Sequence, residues 1–87
     1  MERRLTLRLI HTVSEQCQEE IDVYLDREGE PDRFYPAIRR HFVAMASRDA
    51  ERDIETEPEE MPWLHLYHLD VCEGGNPNDV LLRFREG

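Results

Sequence analysis

Apolar and polar residues alternate from Leu5 to Leu9, with Leu5, Leu7 and Leu9 on one side and Thr6 and Arg8 on the other. A period of two sends successive side chains to opposite faces of a strand, and the β-branched Ile10, Thr12 and Val13 extend that preference. A strand over 3–12 is predicted, with a helix running straight through the segment as the competing reading. The spacing then changes: Cys17, Ile21, Tyr24 and Leu25 fall at i, i+4, i+7 and i+8, which is one face of a helix. This predicts an amphipathic helix over 14–28, with a capping box from Thr12 to Glu15 and Ser14 as a second N-cap. Gly29 would end it, and Glu30, Pro31 and Asp32 would form a turn.

A second helix is predicted from Tyr35, because Pro36 sits in a first turn where a missing N–H costs nothing. Ile38, Phe42, Met45 and Ala46 make its buried stripe, Phe34 packs ahead of it, and it can run to Glu57, where Pro58 stops it. Residues 55–62 read as an exposed acidic connection. Residues 63–72 read as a strand apolar on both faces, as expected near the middle of a sheet. The turn formers over 73–79 predict a hairpin loop, and Val80, Leu82 and Phe84 line one face of a closing strand over 80–85. The expected fold is α+β: one compact β-α-α-β-β domain over 1–87, with a three-stranded, mostly antiparallel sheet and two helices packed on one face. Its core would draw on Leu5, Leu7, Leu9, Ile21, Tyr24, Leu25, Ile38, Phe42, Met45, Tyr67, Leu69, Val71, Val80, Leu82 and Phe84.

Composition narrows the function classes. The apolar fraction is 39%, low for a globular domain, but the clustering of those residues argues for a folded chain. The net charge of −9, from 20 acidic and 11 basic residues, argues against direct DNA binding, which draws its affinity from neutralising phosphates. Every basic residue is Arg. A GC-rich coding sequence is the simplest source of that bias, and selection for bidentate guanidinium contacts is the other. Cys17 and Cys72 lack a disulfide-framework spacing, so a reducing cytoplasm is expected. Arg8 interrupts any N-terminal signal-type apolar run, and no stretch approaches the ~20 apolar residues of a membrane span.

Charge is segregated along the chain. Residues 1–13 carry +2, 14–32 carry −7, 33–48 carry +4, 49–60 carry −6 and 61–87 carry −2. On a helix over 14–28, Glu15, Glu19, Asp22 and Asp26 would fall on one line opposite the apolar stripe. They would form a solvent-facing ridge about 16 Å long at 1.5 Å per residue. Together with Asp49, Asp53 and Glu57 of the second acidic stretch, this ridge is the expected partner-binding surface, complementary to a basic protein surface such as a nucleic-acid-binding groove. A solubilising face is the plainer reading of the same charges. Arg4, Arg8, Arg83 and Arg85 are expected on the opposite, open face of the sheet with His65 or His68, paired with the chain's own acids.

Catalytic signatures are thin. His65 and His68 are three apart, hence on opposite faces of a strand. His68, Asp70 and Cys72 share a face, but a structural zinc site needs four ligands, and Cys17 or His41 would have to complete it. Cys17 lies on the apolar side of the predicted helix and reads as a buried, inert thiol, whereas Cys72, next to Gly74 and Gly75, reads as the more accessible one. Gly74 and Gly75 lack the downstream Lys of a phosphate-binding loop. No catalytic residue, metal site or cofactor is assigned.

In being short, acidic, Arg-only and without a catalytic signature, the chain is similar to small phage and mobile-element proteins that inhibit host nucleic-acid machinery, such as anti-CRISPR and anti-restriction proteins. The likeness is one of composition, so it carries no residue roles. The function expected is a non-enzymatic, nucleic-acid-mimicking inhibitor of a basic partner. A homodimeric scaffold or antitoxin-like module is the alternative, and a small metal- or cysteine-dependent enzyme a second.

Overall fold

A computed structural model describes residues 3–25, 35–51 and 62–85. Strand β1 (Arg3–His11) is followed by β2 (Cys17–Leu25), helix α1 (Tyr35–Ala50), a 3-10 turn (Pro62–Leu66), β3 (Tyr67–Glu73) and β4 (Val80–Arg85). The strands form one antiparallel sheet in the order β2-β1-β3-β4. The α+β class is as expected, but the described residues hold four strands and one helix in place of three strands and two helices.

The main correction falls on 14–28. Residues 17–25 are strand β2, not helix, and residues 26–28 lie outside the described residues; the reason for the strand is visible in the sequence. From Glu20 the order is polar, apolar, polar, apolar (Glu20, Ile21, Asp22, Val23), the same period as β1. In register, Leu7 faces Ile21 and Leu5 faces Val23, so pairing sets both β-branched residues beside the leucines of β1. A helix here would have gained little on its own. It would have carried like charges at i,i+4, and short helices depend on tertiary packing for their stability. The supposed cap becomes a tight connection: the Glu15 N–H donates to the His11 carbonyl (2.8 Å) and the His11 N–H donates to the Gln16 carbonyl (3.1 Å). Glu15 turns the corner at φ 59°.

One face of the sheet is apolar. Leu5, Leu7 and Leu9 of β1, Leu69 and Val71 of β3 and Phe84 of β4 are buried there against Ile38, Phe42, Met45 and Ala46 of α1. Those helical positions follow the predicted stripe. Phe42 meets Phe84 edge-on at 5.5 Å between ring centroids, a favoured aromatic geometry. Ile21, Val23 and Leu82 pack at the margin of this core, whereas Tyr24 (61% exposed) and Val80 lie outside it, contrary to expectation. The side chain of Leu25 lies outside the described residues.

The helix closes sooner than Glu57. It ends at Ala50, and Glu51 takes a left-handed conformation at φ 56°, with its N–H on the Arg48 carbonyl at 3.3 Å. Trp63 belongs to the 3-10 turn that begins at Pro62, so β3 starts at Tyr67 and not at residue 63. The 73–79 segment makes the expected connection between β3 and β4. Asn76 N–H donates to the Glu73 carbonyl at 2.9 Å, Asp79 N–H to the Asn76 carbonyl at 3.1 Å and Glu73 N–H to the Asp79 carbonyl at 3.0 Å. Gly75 supplies a φ of +73°, and a Cβ on Gly74 would come within 2.9 Å of the Arg4 carbonyl oxygen.

Candidate functional site on the open face of the sheet

Because side chains alternate, the residues between the core positions share the face away from α1. Cross-strand register arranges them in rows. One row runs Glu20 (β2), Arg8 (β1), Asp70 (β3), Arg83 (β4), with charge alternating in sign across the whole sheet. Arg8 Nε donates to Glu20 Oε2 at 3.1 Å. Arg83 grips Asp70 through two bonds, Nε to Oδ1 at 2.8 Å and Nη2 to Oδ2 at 3.4 Å. The adjoining row on one side holds Asp22, Thr6 and Cys72. There the Thr6 hydroxyl donates to Asp22 Oδ1 at 2.7 Å and accepts the Gly75 N–H at 2.8 Å, tying β2, β1 and the β3–β4 loop together. The row on the other side holds Ile10, His68 and Arg85.

This face is polar, yet its centre is buried. Thr6, His68, Asp70 and Cys72 are all shielded from solvent. Asp70 is satisfied by its guanidinium partner. His68 is not: both ring nitrogens are buried without a hydrogen-bond partner, and its nearest charged neighbour, Asp70 Oδ1, lies 3.6 Å from Nε2, beyond hydrogen-bond reach. Burial pushes the His68 pKa below its ordinary value. Asp70 opposes that shift, Arg83 and Arg85 reinforce it, and Glu15 weakly opposes it. The imidazole is therefore neutral around pH 7. At this end of the face lies a concavity of about 290 Å³, lined by Arg8, Ile10, Glu15, His68, Asp70 and Arg83.

The expected site residues fall elsewhere or apart. On β2 an odd and an even position look in opposite directions, so Glu19 and Asp22 sit on different faces and the one-sided ridge does not form. Glu19 pairs with Arg48 of α1 on the helix side. Asp22 bonds Thr6 and lies 3.7 Å from Arg4 Nε on the open side. Glu15 is in the β1–β2 turn. Asp49, at the end of α1, accepts the Tyr67 hydroxyl at 2.7 Å. Burial first, and that carboxylate second, push the Tyr67 pKa up to about 12. Asp26, Asp53 and Glu57 lie outside the described residues.

The arginines do occupy the open face as the alternation implied: Arg4, Arg8 and Arg83 engage Asp22, Glu20 and Asp70, and His68, not His65, accompanies them. The cysteines are exchanged relative to expectation. Cys17 is exposed and Cys72 buried, with burial pushing the Cys72 thiol pKa up. Among the described residues no group of three His, Cys, Asp or Glu side chains is placed to hold a metal ion, and no helix is long and apolar enough to cross a membrane. Comparison with protein-family models, with curated proteins and with solved structures found no match for this chain.

Sequence reasoning weighed His68 as a metal ligand or a half-exposed strand residue and did not anticipate the concavity around it. The signal available was the repeat His68, Asp70, Cys72 against Arg83 and Arg85 two positions apart, which places a polar set at the centre of a sheet.

Proposed function

We propose that the chain is a non-enzymatic, cytoplasmic protein-binding module that offers acidic surface to a basic partner. One observation carries the reading. The described residues hold eight Arg against nine Asp and Glu, a net charge of −1, so the remaining −8 of the total −9 belongs to residues 1–2, 26–34, 52–61 and 86–87. Five of those eight arginines are in ion pairs within the framework, Arg3 with Glu73, Arg4 with Asp22, Arg8 with Glu20, Arg48 with Glu19 and Arg83 with Asp70. The fold consumes its own cations. The surplus acid of the sequence, Asp26, Asp53 and Glu57 included, would be read by the partner, in the manner of a nucleic-acid-mimicking inhibitor seated in a basic groove.

Affinity capture with the full chain tests this. The retained partner is expected to be basic, to elute with rising salt and to be displaced by duplex DNA, since all three compete for the same cations. Neutralising Asp53, Glu55, Glu57, Glu59 and Glu60 together to Asn and Gln should abolish capture without moving the unfolding midpoint. An acidic partner, or capture indifferent to those five changes, overturns the proposal.

A second reading, a homodimeric module, draws on β4. It is an edge of the sheet with Val80 and Leu81 exposed, and unpaired edges with apolar residues invite strand pairing. Sedimentation velocity showing a monomer at high protein concentration removes it.

A further inference from the structure

We propose that the concavity around His68 binds a small zwitterion, an α-amino acid, going beyond the acidic-partner reading and independent of the acidic segments. The charges of its lining set the class. Arg8 and Arg83 supply two cations and Glu15 and Asp70 two anions, with a neutral imidazole between them and Ile10 as the apolar part of the wall. A ligand of one sign meets as much repulsion there as attraction. A ligand carrying both signs finds an opposite charge for each end.

The placement of the two ends is set by the strands. The guanidinium groups belong to the Arg8–Asp70–Arg83 row. His68 is in the next row, two residues along β3 or about 7 Å, and Glu15 is in the turn beyond it. An α-ammonium and its α-carboxylate, each making a charge-assisted hydrogen bond of about 2.8 Å, bridge such a span.

The free hydrogen-bonding capacity matches. Arg8 uses Nε on Glu20, and Arg83 uses Nε and Nη2 on Asp70, which leaves the terminal N–H groups of Arg8 and Nη1 of Arg83 to donate to a carboxylate. Among the described residues no ion pair involves Glu15, and the acceptor nitrogen of His68 is unmatched. Both take an ammonium. The His68 side chain is only 8% exposed, so a ligand reaches its ring by shifting the exposed Glu15 side chain, while Arg83 stays on Asp70. A buried imidazole with neither nitrogen hydrogen-bonded has a use if something arrives to pair with it.

The test is histidine NMR on the full chain, following the His68 ring signals, assigned with His68→Gln, while l-alanine, acetate or methylammonium is added. A saturable shift is expected with l-alanine below about 10 mM and with neither single-charge probe. Glu15→Gln, an exposed change that leaves the unfolding midpoint in place, should weaken the l-alanine response at least tenfold. No saturable shift, an equal response to acetate or methylammonium, or an unchanged response in E15Q overturns the proposal.

Discussion

Removing Arg83 should damage the protein more than removing the carboxylate it holds. The pair is lopsided: the Asp70 side chain is 8% exposed and that of Arg83 49%. Asp70→Asn removes a buried charge and leaves the guanidinium half in water, where it is readily solvated. The loss is that of charge-assisted bonding, and with one side-chain acceptor retained it should come to about 1 kcal/mol. Arg83→Gln strands a carboxylate in the centre of the sheet. Breaking a buried pair in this way costs ~3–5 kcal/mol when both partners are buried. The half-exposed guanidinium signals some access for water, which brings the expectation to about 2–3 kcal/mol. Urea titrations at pH 7 would order the variants, and one further measurement identifies the cause. The double variant D70N/R83Q should be more stable than R83Q alone, since the second change removes the stranded charge. If R83Q were no worse than D70N, or the double variant were the least stable of the three, Asp70 would not be the buried, partner-dependent charge described here.

Other outcomes follow from single groups. Because the folded-state pKa of His68 lies below its ordinary 6.5, the unfolded chain binds the proton more readily; stability is full above pH 6.5 and falls as pH drops through the folded value. His68→Gln should flatten the dependence of the urea midpoint below pH 6.5, and His68→Leu should raise stability at pH 7 by about 1 kcal/mol, because it removes an unsatisfied buried polar ring. Tyr67 behaves in the opposite sense. With its pKa pushed from 10.0 to about 12, its contribution is full below pH 10 and is lost as pH rises through 12. Tyr67→Phe should cost about 1 kcal/mol at pH 7 and remove that part of the alkaline loss. Finally, a thiol reagent should modify one cysteine in the native protein, Cys17, and reach Cys72 only in denaturant. Rapid modification of Cys72 in the native state would contradict its burial.

How far the residues announced this fold depends on how many neighbours each segment needed. The stripe of α1 was legible because Ile38, Phe42, Met45 and Ala46 satisfy the helical period alone, and β1 was legible because three leucines at a period of two outweighed the competing reading of a helix through the same residues. The loop over 73–79 announced itself through Gly74, Gly75, Asn76 and Pro77. Segment 17–25 was ambiguous. Ile21 belongs to both periods, Tyr24 and Leu25 favoured the helical one, and Val23 favoured the strand. Pairing with β1 decided the matter, and pairing is a property of two segments. The mistake carried over to the candidate site, because a ridge of Glu15, Glu19, Asp22 and Asp26 exists only at 100° per residue. At 180° per residue Glu19 and Asp22 separate onto two faces, where Arg48 takes one and Arg4 with Thr6 the other. The buried condition of His68 was not legible at all, since it depends on the register that sets Ile10 on one side of it and Arg85 on the other.

The two charge systems of the chain do different physical work. Within the framework, acids and arginines are interleaved by strand register, so that neighbours across the open face alternate in sign and attract. Exposed pairs of this kind contribute little each, under about 1 kcal/mol. Their greater effect is on specificity: a one-residue slip of β2 against β1 would set Arg8 beside Glu19 or Ile21, send Glu20 toward the leucine face and bring Ile21 and Val23 out to water. The alternating row therefore discriminates between registers that hydrophobic pattern alone would leave closer in energy. Outside the framework the acids have no comparable complement in the sequence, since 11 acidic residues there accompany only three Arg. Mutual repulsion among them opposes compaction and gives no help to folding. Acid in such excess over the arginines of the same segments is charge that a partner can use. For that reason the acidic segments, and not the sheet, carry the proposed recognition of a basic surface.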